Sequence, residues 1–340
     1  MARFSRWVTS IDSHTAGEST RLVTSGLPPI PGQTLAEKLA YANQQLAWAP
    51  GFLLLEPRGH KDMFGAVLLP ACHPQADLGV LFMDNQVFEP MCGHATIGVV
   101  TSVLETGILP MIEPETVVTL DTASGLVRTV ARVREGAVIS VAFDNVPSFV
   151  YRRATPLQVP DLPGLTVDVV FGGLFFVCVR AEQVGVELIP RHAGRLAELG
   201  MRILAAARDQ IPVQHPELPH MNRIYDLRFY TEPGSAGAAS RNVVILGNQM
   251  VDRSPCGTGT SAETALRHAQ GRLPVGASFV TESIIGTRFK GEVAAETVVG
   301  HGPSAFPAVI PRITGSAYIT GFHQCLLAES DPFPAGFQLV

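Results

Sequence analysis

The chain has 340 residues, 46% of them apolar and only 16% charged, with a net charge of −5. This is a globular composition, long enough for about two domains, and it excludes a disordered chain. The acidic balance lacks the basic face of a non-specific nucleic-acid binder, and no run reaches the ~18 unbroken apolar residues of a membrane span.

Met1 to Ser13 carries two Arg and no apolar h-region, which reads as no signal peptide. A 3.6-residue period predicts a helix over Leu35 to Leu46. Strand-like runs follow at Gly51 to Leu55, Ala66 to Leu69, Gly79 to Met83, Val117 to Leu120 and Val138 to Phe143. More come at Val167 to Val170, Leu174 to Val179, Val243 to Leu246 and Tyr318 to Gly321. They are rich in Val, Phe and Leu and bounded by turn residues. A second amphipathic helix runs over Ala193 to Asp209 and stops before Pro212. Strands outnumber helices without regular alternation, so the expected class is α+β.

The five cysteines are Cys72, Cys92, Cys178, Cys256 and Cys325. An odd, sparse set reads as reduced thiols in the cytoplasm and not as a disulfide framework. Two of them sit in an internal echo. Pro90-Met91-Cys92-Gly93-His94-Ala95-Thr96 is matched by Ser254-Pro255-Cys256-Gly257-Thr258-Gly259-Thr260. In each copy Gly follows the Cys, Thr stands four residues after it, and Gly closes the segment fifteen residues after it. Each copy follows an apolar strand and an Asn-Gln pair, Asn85-Gln86 or Asn248-Gln249. The pattern predicts strand, loop, Cys, helix and glycine cap, twice over.

A cysteine at a helix N-terminus lies beside unpaired N–H groups and a partial positive charge. Its thiolate is favoured, so the expected pKa falls toward neutrality. The same N–H groups bind a carboxylate, and glycine after the Cys clears the approach. Two such thiols on opposite faces of a carbon can remove a proton from one side and return it on the other. Cys72, Cys178 and Cys325 are expected to be packing residues.

Other patterns carry less. Gly257-Thr258-Gly259-Thr260-Ser261-Ala262 fits G-x-G-x-x-A, but Asn248 to Cys256 separates it from the strand that a dinucleotide site needs. No cysteine or histidine spacing suits a metal, so none is expected. Asp12-Ser13-His14-Thr15 reads as an ordered turn, since triads assemble by folding and not by adjacency. With three Lys in the chain, few residues could hold pyridoxal phosphate.

Met91-Cys92-Gly93-His94 and Asp252-Arg253-Ser254-Pro255-Cys256-Gly257-Thr258-Gly259-Thr260-Ser261-Ala262 resemble the proline racemase family. So do Asp12 to Glu18, Arg58-Gly59-His60 with Asp62 to Gly65, Asn145 to Phe149, and Asp331-Pro332-Phe333 before Gly336-Phe337. The family includes proline racemase, 4-hydroxyproline 2-epimerase and trans-3-hydroxy-L-proline dehydratase. The resemblance implies a diaminopimelate epimerase-like fold: two pseudo-symmetric lobes, each a sheet around a central helix, with the active site between them. The lobes would be residues 1–145, completed by about 325–340, and residues 146–324.

It further implies cofactor-independent chemistry, with Cys92 and Cys256 as the acid/base pair. Gly93, His94, Gly257 and Thr258 would bind the substrate carboxylate through backbone N–H groups. Asp252 and the His94 side chain would hold the ring ammonium. A homodimer is implied as well, with a small imino acid as the only other partner. In the dehydratases one of the two cysteines is replaced, so the intact pair favours inversion. Ala95 stands where racemases and epimerases usually carry Gly, and Ala is common among the dehydratases. Asp226, 26 residues before Asp252, stands where hydroxyproline epimerases tend to have a His that meets the substrate hydroxyl. An Asp there can accept a hydroxyl hydrogen bond. The leading expectation is inversion of trans-4-hydroxy-L-proline to cis-4-hydroxy-D-proline. The alternatives are proline racemisation, trans-3-hydroxy-L-proline dehydration, and a silent imino-acid binding protein.

Overall fold

The computed structural model describes residues 3–219, 221–235 and 237–339. The chain is α+β and divides into two compact units, Met1–Phe143 with Gly315–Val340, and Asp144–Thr314. The first unit begins with the hairpin β1 (Phe4–Thr15) and β2 (Glu18–Ser25), then α1 (Leu35–Gln45) and α2 (Ala49–Leu54). It continues with β3 (Phe64–Leu69), β4 (Leu78–Met83), β5 (Phe88–Glu89) and α3 (Gly93–Glu105). The strands β6 (Glu115–Thr122), β7 (Gly125–Arg134) and β8 (Ala137–Asp144) follow.

The second unit holds β9 (Ser148–Pro156), β10 (Thr166–Phe171), β11 (Phe175–Arg180), α4 (Ala181–Val184) and α5 (Ala193–Gln210). Then come β12 (Ile224–Thr231), β13 (Ser240–Ile245), α6 (Gly257–Ala269), β14 (Ser278–Glu282), β15 (Arg288–Val299) and β16 (Phe306–Gly315). The chain returns to the first unit as β17 (Ala317–Ala328).

Strand pairing follows one order in both units. In the first, β17–β1–β2 pair antiparallel, β2–β3 parallel, β3–β4 antiparallel, β4–β6 parallel and β6–β7–β8 antiparallel. In the second, β9–β10–β11 pair antiparallel, β11–β12 parallel, β12–β13 antiparallel, β13–β14 parallel and β14–β15–β16 antiparallel. β16 also meets β9 at Ala308↔Phe149, so the second series closes on itself. Each parallel step is crossed by helix: α1 and α2 or α4 and α5 at one, α3 or α6 at the other. The echo in the sequence is thus an echo in topology.

The helices after the two cysteines lie deep. In α3 every residue from Gly93 to Leu104 is buried, and none of them is acidic or a Lys or Arg. It packs on β1, β2, β3, β7 and β17. Its partner α6 is buried from Gly257 to Arg267 and carries charge inward. Glu263 pairs with Arg228, which is fully buried on β12. It also takes a bond from Arg267 Nε at 2.7 Å, and Arg267 reaches Glu232 at 2.5 Å. Such charges are tolerated inside only when paired. Both helices end on the expected glycine, Gly107 (φ 74°) and Gly271 (φ 71°), where the left-handed turn favours a residue without Cβ.

Three expectations change. Asp12 to Thr15, expected as a turn, form the end of β1, paired with β2 and β17. Gly51 to Leu55 lies mostly in α2 and not in a strand. A short apolar run has no readable period, and Pro50 in the first turn suits a helix start. The return to the first unit begins at Gly315 and not near 325. β17 pairs with β1 from Ala317↔Thr15 to Ala328↔Phe4, which draws that whole strand into the first unit. Among the described residues, no helix is long and apolar enough to cross a membrane.

Candidate active site

Cys92 is the N-cap of α3, on extended backbone (φ −145°, ψ 118°), and is half-buried. Its Sγ lies 3.4 Å from His94 Nδ1 and 4.0 Å from Nε2. The His94 ring is buried and meets Phe64 edge-on, with centroids 4.7 Å apart. Thr15, from the end of β1, donates its hydroxyl to the His94 carbonyl at 2.8 Å. The β1–β2 turn therefore braces the first turn of α3. No acidic residue stands in that first turn to oppose the helix dipole.

Cys256 caps α6 on different backbone, with φ 63° and ψ 120°. A non-glycine residue there costs of order 1–3 kcal/mol and persists only where its surroundings hold it. They do so here from both sides. The Cys256 N–H donates to Ser254 Oγ at 3.0 Å, and Sγ accepts from the Gly259 N–H at 3.3 Å. Sγ also lies 3.4 Å from Thr258 Oγ1. A Cβ on Gly259 would come within 3.3 Å of the sulfur, so glycine gives the thiol room against the helix.

Asp252 is buried and accepts from the Ser254 N–H at 2.7 Å. Asp226 is buried on β12 and accepts from the Gly247 N–H at 3.1 Å. In the second unit, the structure thus gathers Asp226, Asp252, Gly257 and Thr258 around Cys256. In the first it gathers Gly93 and His94 around Cys92.

The expected fall in thiol pKa is reversed at Cys256. Burial pushes this thiol well above its ordinary value, and the Asp252 charge adds to the rise. The Thr258 hydroxyl and the Gly259 N–H pull it down, and Asp226 pushes it up again. Desolvation and two carboxylates outweigh the helix terminus. Cys178 is buried, its thiol pushed up to about 12 by burial. Cys325 is buried and raised as well, first by burial. Cys72 is half-buried.

Compared with known families, the chain matches the proline racemase family over residues 10–338. It is 45% identical over 337 residues to a proline racemase of Clostridioides difficile, covering 99% of each chain. The chain belongs to the proline racemase family. A 4-hydroxyproline 2-epimerase of Streptosporangium roseum is 42% identical over 330 residues, covering 97% of this chain and 98% of that one. A hydroxyproline epimerase of Agrobacterium vitis, solved with bound trans-4-OH-L-proline, superimposes with a TM-score of 0.90 at 37% identity. That match covers 99% of this chain and 97% of the other. These relatives place the chain among the amino-acid racemases and epimerases.

In this proline racemase family chain, three features of the site leave little mark in the residue pattern. Ser254 links Asp252 to Cys256, and only its place between them in the motif hinted at it. Thr15 meets its partner His94 across 79 residues of chain. The positive φ of Cys256 had no signal at all, since such a conformation usually announces itself by glycine or asparagine.

Proposed function

We propose that this chain inverts the α-carbon of a proline-type imino acid with two thiols and no cofactor, and that its substrate is 4-hydroxyproline. The paired strand–cysteine–helix arrangement is the observation that carries the reaction type. Each unit supplies one thiol at a helix start, and binding alone would need neither sulfur. Cys92 and Cys256 exchange the roles of acid and base with the hand of the substrate. The N–H groups of Gly93, His94, Gly257 and Thr258 hold the carboxylate and stabilise the charge that grows on it as the α-proton leaves. Asp252 and the His94 ring take the ring ammonium. With that cation beside Asp252, the negative field on Cys256 weakens and its thiol becomes able to give and take a proton.

Asp226 supports the hydroxylated substrate. It is buried near Cys256, and a buried carboxylate facing a ring methylene is costly, whereas a hydroxyl donates to it. The likeness to the Streptosporangium and Agrobacterium hydroxyproline epimerases points the same way. Proline racemisation is the second reading, favoured by the 45% identity to the Clostridioides enzyme.

The test is incubation with trans-4-hydroxy-L-proline, L-proline and trans-3-hydroxy-L-proline in deuterated water, followed by NMR and polarimetry. Alpha-deuteration with inversion, faster for 4-hydroxyproline than for proline, is the expected result. Turnover of proline alone would establish the second reading. A cyclic imine from 3-hydroxyproline, trapped with o-aminobenzaldehyde and without inversion of either other substrate, would sink both.

A further inference from the structure

Each copy of the echo carries a threonine four residues after its cysteine, and the two-thiol chemistry gives neither a task. In the first unit Thr96 bonds twice to the Cys92 carbonyl, through its N–H at 3.0 Å and its hydroxyl at 2.8 Å. In the second, Thr260 does the same to the Cys256 carbonyl, at 2.8 Å and 2.6 Å. The Thr260 hydroxyl also lies 3.2 Å from the Pro255 carbonyl. Both threonines are fully buried. The contact survives although the cysteine backbone differs, with φ −145° at Cys92 and 63° at Cys256.

The carbonyl of each cysteine and the N–H of the following glycine belong to one planar peptide. A hydroxyl fixed on the carbonyl therefore sets the direction of the Gly93 or Gly257 N–H. It also polarises that N–H into a better donor. We propose that Thr96 and Thr260 are positioning residues, one for each thiol, that aim the Cys92–Gly93 and Cys256–Gly257 peptides at the substrate carboxylate. This rests on the two-thiol reading given above. Neither threonine touches the substrate; each acts through the peptide that does. The carboxylate gains charge only as the α-proton departs, so a weakened donor costs more in the transition state than in the bound substrate.

Threonine hydroxyls bond back to the fourth preceding carbonyl in many helices. That ordinary case occurs at the end of α3 and within α6. Thr106 donates to the Ser102 carbonyl at 2.7 Å and Thr264 to the Thr260 carbonyl at 2.8 Å, both away from the cysteines. They are the controls.

The experiment compares Thr96→Val, Thr96→Ala, Thr260→Val and Thr260→Ala with Thr96→Ser, Thr260→Ser, Thr106→Val and Thr264→Val, following inversion of 4-hydroxyproline and proline. Losing the hydroxyl at 96 or 260 is expected to lower kcat about tenfold, the worth of one hydrogen bond, with KM changed less than about twofold. Serine at either position restores kcat, and the two controls keep it. Loss carried by KM alone, serine variants as slow as valine, or controls as slow as either would overturn the proposal. So would loss of fold in both the Val and Ala variants while Thr106→Val folds, because the bond would then serve stability and not position. A wild type that inverts neither substrate overturns the two-thiol reading and this one with it; an active wild type with indifferent Thr96 and Thr260 variants overturns this one alone.

Discussion

Asp252 is fastened to Cys256 through a single serine. The Ser254 N–H donates to Asp252 Oδ1 at 2.7 Å, and the Cys256 N–H donates to Ser254 Oγ at 3.0 Å. The carboxylate that raises the thiol pKa therefore sits on the same short loop as the thiol. Asp252→Asn should lower the Cys256 pKa, because the like charge goes. On the proposed reading it should also raise KM for the imino acid by about tenfold or more, since the charge-assisted bond proposed between Asp252 and the ammonium would be lost. Thiolate absorbance during a pH titration of the Cys92→Ala background, with and without Asp252→Asn, checks the first point. Steady-state kinetics check the second. An unchanged thiol titration would remove Asp252 from this role.

Half-burial distinguishes Cys92 from Cys256, whose thiol is buried and raised by that burial. Iodoacetamide reacts with thiolate, so Cys92 should be alkylated first, and substrate should protect it. Peptide mass spectrometry at partial inactivation gives the order. Equal labelling of both cysteines would contradict it.

Replacing either Cys92 or Cys256 by serine should, on the proposed reading, lower inversion by about 10²-fold or more, since a hydroxyl is far too weak an acid or base near neutrality. Optical rotation with 4-hydroxyproline measures this. Near wild-type inversion in both Cys92→Ser and Cys256→Ser would end the two-thiol assignment.

Three buried thiols set a limit on stability at high pH. The pKa values of Cys178, Cys256 and Cys325 are all raised, with burial the first cause. Above pH 9, the ordinary value, the unfolded chain releases these protons more readily than the native state does. The unfolded state then binds fewer protons, so stability is full below that pH and falls as pH climbs toward the raised values. For Cys178 the window runs from 9 to about 12. By pH 10 the Cys178 thiol contributes about 1.4 kcal/mol to the fall. Urea unfolding at pH 8 and pH 10 should show the drop, and Cys178→Ala should reduce it. A Cys178→Ala protein with the wild-type pH dependence would refute the contribution of that thiol.

Glu263→Gln removes the charge that faces Arg228 and Arg267. Arg228 is fully buried, so its guanidinium would be left uncompensated, at a cost of about 3–5 kcal/mol. Arg228→Met with Glu263→Leu should recover much of that loss, because a fitted apolar pair replaces the ions. Thermal unfolding of the single and double variants tests both statements.

The strands that could be read from the sequence were those with dense Val, Phe and Leu, such as β4, β8 and β11. Strands of mixed composition were less legible. β1 mixes Ser, Thr, Arg, Asp and His with four apolar residues, and its register is set by β2 and β17, not by its own composition. At the site, residue types and spacing located both cysteines and their helices, because dipole, glycine and cap all leave marks in sequence. The thiol pKa did not follow from them. It depends on how far Cys256 is removed from water and on Asp226, a residue 30 positions away brought near by β12. Burial of this kind is a property of the assembled fold.

The placement of β17 has a consequence for how the protein is made. β1 lies between β2 and β17, so residues near the start of the chain wait for residues 317–328 before they are fully paired. The ring from β9 to β16, in contrast, is one continuous stretch whose last strand meets its first. On the ribosome, the part that begins second can therefore close first. The thiol on the closed ring has its surroundings in place while the opening hairpin that braces the other, through Thr15 and His94, still lacks its outer strand.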